Sequence, residues 1–270
     1  MMRIISLVKQ VPGTDAVKLD PETGVMIRTG KDTVINPMDE NALAEAIRIK
    51  EERKGIIVSA LSMGPPAAIK AVREAIATGA DDGALVCGRD FAGSDTIATA
   101  KALAAAVKKL GAFDIILCGE RATDGETGQT AAMLAKYLNI PAQTYVSKFE
   151  ITADEKRVIV TRTVEGGFER VEIPMPLLIS VNKDICDPGF PTLSGKLKAK
   201  ASVVPVWGLA DLDLDKSAVG LNGSPTRVVK IFSPKLSRTT IMDKADGSVA
   251  PIARLLGFLN ERATLESEVG

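Results

Sequence analysis

Through its first half the chain alternates unbroken apolar runs with segments whose apolar residues recur at helical spacing. "RIISLVK" (Arg3 to Lys9), "GIIVSALSM" (Gly55 to Met63), "GALVCG" (Gly83 to Gly88) and "FDIILCG" (Phe113 to Gly119) are short continuous runs, the pattern of strands buried on both faces. Between them lie helical patterns. Asp39 to Glu52 sets Leu43, Ala46, Ile47 and Ile49 toward one side. Pro65 to Ala80 opens on proline, and Ser94 to Gly111 has Ser94 or Asp95 as cap and Gly111 as stop. A further helix follows Gly128 and runs toward Pro141. Strands alternating with helices predict a mostly parallel sheet covered on both faces, with right-handed crossovers.

Beyond Pro141 the period changes. "AQTYVSKFEI", "RVIVTRTV", "FERVEI" and "PLLISV" read as strands separated by short turns, an antiparallel extension of the same domain. From Pro188 regular signals thin out: "PGFPTLSGKLKAKASVVPVW" holds three prolines, and "GLNGSPTRVVKIFSP" is turn-rich. Only "SVAPIARLLGFLNERA" near the end regains a helical pattern. The expected division is an α/β domain over 1–187 and a partner-binding segment with a C-terminal arm over 188–270. A tail packed on its own domain is the alternative.

Composition narrows the chemistry. Of 270 residues, 46% are hydrophobic, enough for a proper core, and 34 basic residues balance 34 acidic ones. Zero net charge gives no footprint for nucleic acid. Histidine is absent, which removes the commonest general base and metal ligand. Cys87, Cys118 and Cys186 lie far apart without metal-type spacing and read as reduced thiols. The opening apolar run is too short for a signal peptide, and no stretch approaches the roughly 20 apolar residues of a membrane span. These features lead to the expectation of a cytoplasmic protein with no metal.

Candidate chemistry gathers at the carboxyl ends of the parallel strands, where such sheets bind ligands. The turn "CGERATDGETGQ" (Cys118 to Gln129) is the strongest candidate. Thr127 is positioned to cap the next helix, and the N–H groups of Gly128, Gln129 and Thr130 would point at an anion with the helix dipole behind them. A capped helix without ligand fits the same letters. Neither G-x-G-x-x-G nor G-x-x-x-x-G-K-[ST] occurs. "NPMDENA" (Asn36 to Ala42) reads first as plain helix capping, Met63 as core before ring contact, and Cys118 as a buried hydrophobe.

Taken together, these stretches resemble the β subunit of electron-transfer flavoproteins over most of the chain. "VKQVP", "NPMDENALAEAIRIKE" and "GADDGALV" match the family's early elements. "VTRTVEGGFERVEIPMPLLIS" is the most specific match, and "DPGFPTLSGKLKAK" resembles the segment that docks on dehydrogenases. The resemblance implies a Rossmann-like, adenine-nucleotide-binding fold and a heterodimer with a flavin-bearing α subunit. Carried over by position, it implies nucleotide contacts at Leu7, Lys9, Asn36, Pro37, Met38, Asp39, Met63 and Gly64. It implies further contacts along the turn at Gly119, Glu120, Arg121, Ala122, Thr123, Asp124, Gly125, Glu126, Thr127, Gly128, Gln129 and Thr130, with phosphate at the last three. Leu193 is the implied docking residue.

In one branch of the family the β nucleotide is a structural AMP. In the electron-bifurcating branch it is FAD, which takes hydride from NADH. "TDGETGQT" and the Gly-Ser-Pro-Thr segment resemble the bifurcating branch, so FAD is expected and AMP is the alternative. Small residues at strand ends, Gly64, Gly93 and Ser94, would leave room for the flavin ring, and Arg227 would sit near it. The implied partners are the α subunit, an acyl-CoA or hydroxy-acid type dehydrogenase, and ferredoxin or flavodoxin if electrons are bifurcated. No side chain needs to act as acid or base, because electron and hydride transfer belong to the cofactor. An adenine-nucleotide sensor of the same broad fold is a weaker reading, disfavoured by the long tail.

Overall fold

The computed structural model describes residues 2–13, 18–19, 26–27, 33–229 and 249–261. The described residues through Val229 form one compact unit, and the C-terminal helix belongs to a second. The first unit is built on a nine-stranded sheet. Five parallel strands make its centre: β1 (Met2–Leu7), β6 (Ile56–Met63), β7 (Asp82–Val86), β8 (Ile115–Gly119) and β12 (Leu177–Val181). Short β2 (Gln10–Pro12) and β5 (Thr33–Ile35) pair as a separate two-stranded sheet, as do β3 (Lys18–Leu19) and β4 (Met26–Ile27). On one flank β9 (Ala142–Ile151), β10 (Arg157–Val164) and β11 (Gly167–Pro174) continue antiparallel, and on the other β13 (Val206–Trp207) closes the edge. The order is β11-β10-β9-β12-β8-β1-β6-β7-β13.

The pleat sorts each strand into two cores. Ile4, Val58, Ile115 and Ile179 face α1 (Pro37–Glu52) and α2 (Ile69–Thr78); Ile5, Leu61, Ile116 and Leu178 face α3 (Thr96–Leu110) and α4 (Thr130–Leu138). Strands buried on both sides need apolar residues at every position, which is why these runs are unbroken. Asp95 caps α3 as expected, its Oδ1 accepting from the N–H groups of Ile97 and Ala98.

Two findings differ from the sequence reading. The sequence pattern groups "PLLISV" with the antiparallel strands, yet β12 runs parallel to both β8 and β9. Its residues are buried at every position, the pattern of a strand covered on both faces and not of a meander with one solvated face. Residues 188–229, expected on a partner chain, pack on the α/β domain. Helix α5 (Leu193–Ala201), capped by Thr192, lies on α2, and Ala199 and Val204 are buried in that core. The Arg73 guanidinium holds the carbonyls of Ala199 and Ser202, and Lys198 donates to the Ala80 carbonyl. Leu212 and Val219 enter the opposite core. The division expected at residue 187 therefore does not coincide with the compact unit. The expected C-terminal helix is present as α6 (Ala250–Glu261). The rest of the expected arm, 230–248 and 262–270, lies outside the described residues.

Candidate functional site

From β1 the chain steps to β6 and β7 on one side, then returns to β8 and later β12 on the other. The reversal falls between β1 and β8, and the crevice beyond their carboxyl ends is where open α/β sheets bind ligands. The N-terminus of α1 ties this crevice together. Asp39 Oδ2 accepts from the Lys9 N–H at 2.9 Å and Oδ1 accepts from the Gly119 N–H at 2.8 Å, so one carboxylate joins the ends of both strands. The helix can come this close only because residue 119 is glycine. A β-carbon there would lie 2.6 Å from Met38 Cβ and 2.8 Å from Asp39 Oδ1. Burial is the largest influence on Asp39 and pushes its carboxyl up to about 6, against the opposing pull of its N–H donors, Asn36 and Lys9.

Asn36, also fully buried, does not cap α1 with its side chain. Its Nδ2 donates to the Arg121 carbonyl and its Oδ1 accepts from the Thr123 N–H. The amide thus fixes the polar turn that follows β8. Plain capping, the first reading of "NPMDENA", is replaced by a bond across 85 residues of sequence. Lys9 Nζ meets Asp124 Oδ1 at 2.6 Å across the mouth. Glu120 hangs from β12 through its N–H and pairs with Arg121 at 2.8 Å. Asn41, one turn along α1, holds the carbonyls of Lys183 and Cys186.

The turn itself is exposed from Glu126 to Thr127 and back through Gly125. Ala122 accepts from Gly125 and Glu126, and both Glu126 and Gly128 lie in the left-handed region, Gly128 at φ +61°. Glycine suits that backbone because no Cβ meets the following carbonyl. Thr127 does not cap α4. The capping position is Gln129, whose side chain makes no cap bond, and Gly128 at positive φ stands between Thr127 and the helix. The first intrahelical bond runs from Met133 N–H to the Gln129 carbonyl, so the N–H groups of Gln129 and Thr130 precede it and point out of the helix end. The space beside Gly125 is open, and a β-carbon at Gly128 would stand 3.5 Å from the Glu120 carbonyl oxygen. Such a cradle of free amides and positive helix end fits an anionic phosphate.

The remaining sequence candidates divide. Leu7 is a core side chain facing α3 and α4, leaving only its backbone for the crevice; Pro37 is exposed and Met38 half-buried. Met63 is half-buried against that same core, and Gly64 packs on Ala68, to which a β-carbon would approach within 2.8 Å. Gly93 and Ser94 leave no room of the kind expected. Leu221 lies where a side chain at Gly93 would be, Ser94 Oγ accepts from the Gly220 N–H, and Asp95 Oδ2 accepts from the N–H and hydroxyl of Thr226. The Gly-Ser-Pro-Thr segment is what fills this place: Ser224 is buried and its hydroxyl accepts from the Asp95 N–H. Arg227 follows as an exposed residue. Cys118 is buried, and its thiol is pushed up by burial and by the nearby Asp39. Leu193 begins α5 and is 77% exposed, with Phe190 and Leu197 exposed beside it. Among the described residues no cluster of three acidic or thiol groups could hold a metal, and no helix is long and apolar enough to cross a membrane.

A model of the electron transfer flavoprotein domain matches residues 23–212. The chain is 45% identical to the electron transfer flavoprotein subunit beta of Thermoanaerobacterium thermosaccharolyticum, covering 88% of this chain and 90% of the relative. The chain belongs to the electron-transfer flavoprotein β-subunit family. This β subunit is also 42% identical to the caffeyl-CoA reductase-Etf complex subunit CarD of Acetobacterium woodii, over 86% of this chain and 88% of that one. It is 39% identical to the acryloyl-CoA reductase electron transfer subunit gamma of Anaerotignum propionicum, over 89% and 92% respectively. Its role is therefore in electron transfer, and its mostly parallel sheet between helices is the α/β fold expected from the sequence.

Proposed function

We propose that this β subunit pairs with a flavin-bearing α subunit and holds FAD in the crevice between β1 and β8. The observation that carries the reading is the Gly125–Thr130 turn, open to solvent and backed by the N-terminus of α4. The chain's own residues bind and orient. Free N–H groups of Gly128, Gln129 and Thr130 take the phosphates, Asn36 holds the turn at Arg121 and Thr123, and Asp39 keeps the strand ends together. When bound, FAD would accept hydride from NADH and divide the electron pair between a high- and a low-potential acceptor. Those acceptors are an acyl-CoA or hydroxy-acid type dehydrogenase, met at Leu193, and ferredoxin or flavodoxin. The C-terminal arm within 188–270 wraps the α subunit in this reading, and the complex works in the cytoplasm. Relatives named for caffeyl-CoA and acryloyl-CoA reductase systems support a dehydrogenase partner of acyl-CoA type.

A structural AMP is the second reading, and one observation favours it. The space expected for a flavin ring near Gly93 and Ser94 is filled by Leu221 and the segment around Ser224. Cofactor analysis of the purified heterodimer separates the two. Two FAD per heterodimer, with bleaching of the flavin absorbance by NADH, is the expected result. One FAD with one AMP, and no response to NADH after FAD reconstitution, would overturn the FAD reading.

A further inference from the structure

One residue beside the turn has a backbone that its side chain makes unfavourable. Tyr145 lies within β9 at φ +58°, in the left-handed region. Bulky residues are uncommon there, since Cβ crowds the carbonyl. The register explains how the conformation arises. Ile179 of β12 faces Gln143, but Val181 faces Val146, so Thr144 and Tyr145 together stand opposite a single residue. The pairing with β10 shifts a little further along β9, where Ser147 is the extra residue between Val146 and Lys148, opposite the step from Arg162 to Thr161. A bulge of this kind bends its strand and re-aims a side chain.

The side chain is aimed at the polar turn. The Tyr145 hydroxyl lies 4.0 Å from the position a β-carbon would take on Gly128. Tyr145 is 48% exposed, although it belongs to a strand of the main sheet. The phenol can donate one hydrogen bond and accept another. Strained backbone of this sort persists where the surrounding structure holds it and concentrates at ligand clamps. Here β12 holds the strand just past Tyr145 through the bond from the Asn182 N–H to the Val146 carbonyl, and on its other edge β12 accepts the Glu120 N–H at the Val181 carbonyl. The second of these bonds also fixes the start of the turn.

We infer that Tyr145 is a phosphate-binding residue of the β-subunit nucleotide site, its hydroxyl donating to a phosphate oxygen seated on the amides of Gly128 to Thr130. The inference rests on the nucleotide reading above and deepens it: backbone groups would supply the cradle and Tyr145 a side-chain donor at its rim. It holds for FAD and for AMP alike, because both carry a phosphate on the adenosine 5′ oxygen.

The test uses the complete heterodimer, freed of its β-site nucleotide, with AMP, FAD and adenosine as probes. Tyr145→Phe keeps the ring and removes only the donor. It should weaken AMP and FAD by about tenfold or more, the range of a hydrogen bond to a charged group, and leave adenosine binding unchanged. Tyr145→Gly should weaken AMP at least as much while the thermal midpoint stays equal or rises, because glycine adopts φ +58° readily. Wild-type affinity for AMP and FAD in Tyr145→Phe would overturn the inference. So would equal losses for AMP and adenosine, which would assign the ring to packing. If the wild-type heterodimer bound neither AMP nor FAD, the nucleotide reading itself would fail, and this inference with it.

Discussion

Replacing Asp39 by asparagine isolates what the buried carboxylate does at the strand ends. In the folded chain its carboxyl is raised from an ordinary 3.8 to about 6, with burial the largest cause. Between those values the unfolded chain has released its proton and the folded chain has not. Stability from this group is therefore present in full below 3.8 and is lost as pH rises through about 6. At ~1.4 kcal/mol per pH interval of one, the span amounts to ~3 kcal/mol. Lys9, Asn36, Glu40 and Cys118 surround the group, and the asparagine variant leaves all four in place. Asparagine cannot become charged, so that contribution disappears. Its amide can accept from only one of the Lys9 and Gly119 N–H groups, and leaving the other unpaired costs about 1–3 kcal/mol. At neutral pH the two effects nearly offset. The informative quantity is the difference in unfolding free energy between wild type and Asp39→Asn, measured by urea titration from pH 3.5 to 7. Wild type should lose ~3 kcal/mol relative to the variant as pH rises through that window. Taking the difference cancels carboxylates such as Asp81, which is held below its ordinary value and titrates in the opposite sense. A difference that stays flat across the range would refute the assignment of a buried, ionising clamp.

Gly128→Val should lower nucleotide content per heterodimer after gel filtration, whereas Gln129→Ala should retain it, since the proposed contacts there are backbone; full retention by Gly128→Val would rule out the cradle. Leu193→Ala should weaken reduction of the dehydrogenase partner by ~1–3 kcal/mol with nucleotide content and heterodimer stability unchanged, because the side chain is exposed on α5; lost heterodimer stability would assign it to packing. Asp95→Ala should cost about 1–2 kcal/mol in unfolding free energy and expose the segment around Ser224 to protease, because one carboxylate caps α3 and holds Thr226; unchanged cleavage would show the segment is held by other contacts.

What was legible in the sequence is what depends on local periodicity. The runs that became β1, β6, β7 and β8 had to be apolar throughout because both faces are covered, and Asp95 lies where a cap belongs. The turn after β8 was also visible, as glycine and polar letters between two apolar elements. What stayed hidden depends on partners far along the chain. Asn36 and Asp39 have the letters of a helix start, yet their side chains reach residues 121 and 119. Thr127 has the letter of a cap, and the φ of Gly128 withdraws it. The bulge at Tyr145 leaves no mark in an alternation that reads as an ordinary strand. Segment 188–229 shows little period because its contacts are made one at a time, by Ala199, Val204, Leu212 and Val219, and not along one face.

The Asp39 clamp also sets an order in time. Its two hydrogen bonds span 30 and 80 residues of sequence, and those of Asn36 span 85 and 87. Contacts so distant must bear the loop-closure entropy of the intervening chain before they contribute anything, and they form late and slowly. During synthesis the Lys9 N–H is present before α1 emerges, but the second bond of Asp39 and both side-chain bonds of Asn36 must wait until β8 has joined the sheet beside β1. Until then the crevice lacks the wall formed by the end of β8 and the turn that follows it. A ligand of this site acts on the finished sheet alone, raising its population by mass action and leaving the rate at which the sheet first closes untouched.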